Sequence, residues 1–139
     1  MASIYFGGVL YWIPRVLTDF GGLGPGTAWA LWGLMTLVLA LFLLPFTLLA
    51  SLASRYGRAV FLLTAPGFWM ATELLRNYLA VNGFPWAALG CTQFPFPLLT
   101  QGADLGSVYL VSGLVVLLNS LVLALFWSER KTVLAGGLV

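Results

Sequence analysis

The sequence predicts an all-α membrane protein. It is a polytopic bundle of about four transmembrane helices plus a truncated fifth, with an interfacial outer loop. Composition is the first reason: 61% of the 139 residues are hydrophobic and 7% are charged, and the mean hydropathy is +1.02. Soluble domains carry about 25% charge, and a small soluble chain leaves too much surface exposed to hide this apolar content. The second reason is two charge-free stretches, Ala28–Leu49 and Val108–Trp127, each with the roughly 20 residues that cross hydrocarbon. The third is punctuation: the apolar runs are separated by Gly/Pro-rich or basic turns.

Taken in order, Met1–Leu17 is a short apolar segment with Pro14 and Arg15 near its end. It reads as a helix already under way rather than a signal peptide, because Met1–Ile4 carries no positive charge. Thr18–Thr27 (TDFGGLGPGT) is a turn, Ala28–Leu49 a span, and Ser51–Arg58 (SLASRYGR) a short basic turn. Ala59–Val81 is a further span that carries Glu73 and Arg76. Pro66 inside it predicts a kink, since proline cannot donate to the Leu62 carbonyl. The loop Asn82–Gly106, about 25 residues, is rich in Gly, Pro, Phe and Gln. It is too apolar for a solvated loop and too broken for a span, so it should lie in the membrane interface. Val108–Trp127 is the next span, Ser128–Lys131 (SERK) a tight charged turn, and Thr132 the start of a fifth span. Thr132–Val139 is too short to cross a bilayer, and both ends suggest a piece of something longer.

Charge predicts the orientation. If the segments alternate in direction, Arg55 and Arg58 share a side with Arg130 and Lys131, and the positive-inside rule makes that side cytoplasmic. Residues 82–106 then form an extracytoplasmic loop. Tyr11, Trp12, Trp86 and Trp127 fall near the predicted interfaces, where amphipathic rings are favoured.

Candidate chemistry is sparse. A net charge of +2 with no basic tract gives no footprint for nucleic acid. One cysteine and no histidine leave no metal site, no internal disulfide and no Cys–His nucleophile pair. No cofactor is implied. Cys91 reads as a small buried thiol, and Asn119 as an amide that hydrogen-bonds a neighbouring helix. Glu73 and Arg76, three residues apart, share a helix face. Opposite charges in hydrocarbon should pair or face a wet cavity. At about 1.5 Å per residue, Glu73 lies roughly 22 Å from a helix start near Arg58, toward the outer leaflet. The two residues read either as a structural ion pair that fixes the loop or as a polar site beneath it. The loop in turn reads as a wall for a lipid-like substrate or as a cap on the membrane surface.

Several motifs run in a recognisable order. They are Gly8-Val9-Leu10-Tyr11-Trp12-Ile13 with Phe20-Gly21-Gly22-Leu23, then Ala65-Pro66-Gly67-Phe68-Trp69 with Glu73 and Arg76. Gly83-Phe84-Pro85-Trp86, Leu89-Gly90 and Gln93 follow, then Gln101, Ala103-Asp104, Leu105-Gly106, Val108-Tyr109, Ser112 and Asn119. Over nearly its whole length the chain resembles the membrane domain of bacterial apolipoprotein N-acyltransferases. The resemblance implies an inner-membrane enzyme that moves an acyl chain from a phospholipid to the N-terminal, diacylglyceryl-modified cysteine of a lipoprotein. It implies an eight-helix membrane domain carrying a nitrilase-like domain with a Glu–Lys–Cys triad. This sequence looks like helices three to six of that domain and the start of the seventh. It matches no triad member, so no catalytic residue is assigned here and the fragment is not expected to be active alone. The residues assigned to substrate contact are Phe84, Trp86, Gln93, Glu73 and Arg76. The partners implied are the phospholipid donor, the lipoprotein N-terminus and membrane lipids.

A second class of function fits the same charges. Glu73 and Arg76 could line a pathway in a transporter or channel fragment. The downstream coding sequence discriminates the two: a nitrilase-like domain in frame supports the acyltransferase, and further helices alone support the transporter.

Overall fold

A computed structural model describes residues 2–79 and 84–126. Trp127, the charged turn at 128–131, the fifth span expected from Thr132 and the first residues of the long loop, 82–83, lie outside the described residues. Among those described, all regular structure is helical. The segment expected as one helix over 1–17 is two: α1 (Ala2–Val9) and α2 (Ile13–Asp19). Pro14 causes the break, because it has no N–H to give the Leu10 carbonyl. That carbonyl accepts instead from the Ile13 amide at 3.1 Å and from Trp32 Nε1 at 2.9 Å.

After a turn in which Gly22 adopts φ +64°, α3 (Pro25–Leu41) begins with proline at its first position, where a missing N–H costs nothing. It passes through Phe42 into α4 (Leu43–Arg55), and together they form a 31-residue apolar helix. Pro45, which cannot donate to the Leu41 carbonyl, accounts for the local break. Gly57 at φ +117° turns the chain into α5 (Arg58–Leu79), which runs unbroken through Pro66. A 3-10 turn (Leu89–Gln93) and the short α6 (Pro97–Thr100) precede α7 (Ala103–Leu125). Gly106 and Ser107 are non-helical within α7, so its regular part starts at Val108, where the sequence places the span.

Helix α5 packs between α4 and α7, while α1 and α2 pack on α3. The α5–α7 approach is tight: a β-carbon on Gly113 would meet Met70 Sδ at 2.6 Å. Phe6, Leu10 and Leu39 form a buried cluster, with Trp12, Met35 and Phe84 packed against it. Much of the remaining apolar surface is open; Leu48, Leu63 and Leu125 are each more than two-thirds exposed. Among the described residues, 25–55 and 103–125 are long and apolar enough to cross a membrane. With the open leucines, this fits a helical membrane protein.

Candidate functional site

The site assembles where the long loop folds back over α1, α2 and α5. Glu73 and Arg76, on the last turns of α5, are 2% and 4% exposed. A direct ion pair, one of the two readings of the sequence, is not formed between them; among the described residues the one salt bridge is Arg15–Asp19, at 3.6 Å on the surface. Glu73 Oε1 instead accepts from Trp69 Nε1 at 2.9 Å and from the Leu89 amide at 2.7 Å. Its carboxylate therefore latches the 3-10 turn to α5. A carboxylate oxygen is a strong acceptor for such indole and amide donors. The Arg76 guanidinium carbon lies 5.5 Å from the centre of the Phe6 ring, within cation–π range. Trp69 is itself held edge-to-face by Phe46 of α4, with ring centres 4.9 Å apart.

A second anchor joins the loop to α7. The Gly90 amide donates to the fully buried Ser112 Oγ at 2.8 Å. A β-carbon on Gly90 would stand 2.5 Å from the Val108 carbonyl oxygen, so only glycine permits this approach. Burying Gly90 turns its neighbour outward, and Cys91 is exposed rather than buried as expected. Asn119 also departs from expectation: its amide donates to the Val115 carbonyl of its own helix at 2.8 Å, not to a neighbouring helix.

The remaining sequence-assigned residues divide. Phe84 is half-buried in the cluster of Phe6, Leu10 and Leu39. It also closes one end of an apolar groove of about 440 Å³ between α2 and α3, lined by Ile13, Leu17, Leu34, Met35 and Leu39. That volume falls in the range of small-molecule sites. Trp86 is 58% exposed and stacks obliquely on Trp12, with ring centres 5.6 Å apart. The next residue, Ala87, holds φ +63°, a left-handed conformation that costs an alanine energy and turns the chain back toward the core. Gln93 lies apart at the far end of the 3-10 turn, where its amide donates to Thr92 Oγ1 at 2.8 Å. Thus Glu73 and Arg76 line one small space, Phe84 lines the separate apolar groove, Trp86 packs on Trp12, and Gln93 stands apart from all of them. Sequence reasoning missed Trp69, the Leu89 amide and the groove. Trp69 could have been found, since it stands four residues before Glu73 on the same face; the other two depend on how the loop folds.

Comparison with known proteins identifies the family. Residues 1–121 match the family model described as the apolipoprotein N-acyltransferase N-terminal domain. The apolipoprotein N-acyltransferase of Geobacter metallireducens is 35% identical over 114 residues, covering 82% of this chain and 22% of the relative. That of Haemophilus ducreyi is 36% identical over 120 residues, covering 84% and 22%. That of Aquifex aeolicus is 31% identical over 110 residues, covering 79% and 24%. The chain therefore spans about a fifth to a quarter of the length of these relatives. No solved structure matches it significantly. The 121-residue match, spread over the helices and loop that build the site, shows that the chain belongs to the apolipoprotein N-acyltransferase N-terminal domain family.

Proposed function

We propose that the chain is the membrane-embedded part of an apolipoprotein N-acyltransferase, and that it anchors and positions lipid substrates. The whole enzyme would transfer an acyl chain from a phospholipid to the N-terminal diacylglyceryl-cysteine of a lipoprotein. The covalent chemistry would reside outside these 139 residues, because no nucleophile–base pair is assigned within them. In this reading the chain contributes four spans and the start of a fifth to a bacterial inner membrane. The basic turns at Arg55–Arg58 and Arg130–Lys131 face the cytoplasm, and the loop 82–106 faces outward.

The observation that carries the proposal is the apolar groove between α2 and α3, which Phe84 of the loop helps to line. An acyl chain fits its lining, while Trp86 stands where a headgroup or a lipidated cysteine would meet the interface. Holding both lipids in register is a positioning contribution, which converts a two-substrate encounter into a near-intramolecular one. Glu73 and Arg76 support the loop from beneath, and Gln93 offers an amide at its far end. The transporter reading is less well supported, since the space lined by Glu73 and Arg76 measures about 10 Å³, too narrow for a pathway.

Photo-crosslinking tests the assignment. The chain is reconstituted with a phospholipid bearing a diazirine near the middle of one acyl chain. Crosslinks should concentrate on α2, α3 and Phe84, and Leu34→Trp, which fills the groove, should reduce them several-fold. Labelling spread evenly over every lipid-facing helix, unchanged by Leu34→Trp, contradicts it. The chain alone should give no acyl transfer to a diacylated lipopeptide; turnover abolished by Cys91→Ala would overturn the division of labour.

A further inference from the structure

We infer that the cavity between α1 and α5 is a binding site for one ordered water molecule, which bridges the Glu73 carboxylate and the Arg76 guanidinium. Glu73 Oε1 is fully engaged by Trp69 and Leu89. Its second oxygen, Oε2, and Arg76 Nε are both buried without a hydrogen-bonding partner from the protein. Leaving such groups unmet costs their full desolvation, and most when they are charged. Both residues line the same small space of about 10 Å³ with Tyr5, Phe6 and Thr72.

The size of that space selects the ligand. About 10–15 Å³ is the least space that holds one water, so a space of about 10 Å³ leaves no room for a phosphate, a carboxylate or a lipid headgroup. The chemistry agrees. A water donates one proton to Oε2 and accepts from Nε–H. Its second proton can go to Thr72 Oγ1, which already donates its own proton to the Phe68 carbonyl at 2.8 Å. Three polar partners are the usual complement of an internal water. The two charges then compensate each other through the water, and Glu73 keeps its other oxygen for the loop. This site stands or falls independently of lipid binding in the groove.

The test uses the full chain in lipid bilayers, with labelled arginine and glutamate, read by solid-state NMR. The Arg76 Nε–H signal should show a through-space cross-peak to water, and that peak should vanish together with the signal in Arg76→Lys. If Arg76→Lys does not fold, the signal is assigned by elimination with Lys in place of Arg15, Arg55, Arg58 and Arg130. The Glu73 carboxyl carbon and Arg76 Nε should be separated by more than a direct contact. A direct-contact distance between them, or an Nε–H signal with no water cross-peak, overturns the inference.

Discussion

One oxygen of Glu73 takes two donors, Trp69 Nε1 from its own helix and the Leu89 amide from the loop. Replacing it with alanine strands both donors and leaves Arg76 charged in a buried setting. Glu73→Ala should therefore cost about 3–5 kcal/mol, the range for breaking a buried charged network, read as a fall in the thermal midpoint in detergent. Glu73→Gln keeps an acceptor for Leu89 and should cost less, and Glu73→Gln with Arg76→Gln should recover most of the stability because no lone charge remains. A double variant less stable than either single contradicts this. The sequence showed that Glu73 and Arg76 share a face, because helical spacing is a local property. It could not show that Glu73 bonds an amide 16 residues on, nor that Cys91 turns outward, since both follow from the path of the loop.

Loop and helices meet through backbone approaches that only small residues allow. Gly90→Ala drives a β-carbon into the Val108 carbonyl oxygen at 2.5 Å and the Ser112 nitrogen at 3.0 Å. Neither backbone atom can yield cheaply, so the cost should be about 1–3 kcal/mol or more. Gly113→Ala meets the flexible Met70 side chain instead, and a smaller loss, relieved by Met70→Ala, is expected in the same thermal assay. Equal losses for the two glycine variants would contradict the distinction. Long apolar runs marked the helices that cover 28–49, 59–79 and 108–125, but α4 continues to Arg55, through residues read as part of a turn from Ser51. The split of 1–17 was not read, although Pro14 lies within it, because the segment was short enough to pass as one helix. Its stability depends on Trp32 reaching the freed Leu10 carbonyl. Trp32→Phe removes one of that carbonyl's two donors and should cost about 0.5–1.5 kcal/mol, visible as increased proteolysis between α1 and α2.

Across the chain, lipid is the solvent that makes the exposed leucines of α3, α4 and α7 consistent with a stable protein. Membrane character was legible from composition alone, and the family from motif order. The groove was not, because it arises from the packing of α2 against α3 and the return of Phe84. The proposed orientation joins these levels: in it, the loop and Trp86 would lie on the side where a lipidated N-terminus arrives. Cys91, exposed in the loop and the chain's single cysteine, allows this to be read directly. In intact cells a membrane-impermeant maleimide should label Cys91. In a Cys91→Ser background it should spare Tyr56→Cys, in the basic turn, until the membrane is permeabilised. Labelling of Tyr56→Cys in intact cells, together with protection of Cys91 in the unsubstituted chain, would contradict the account.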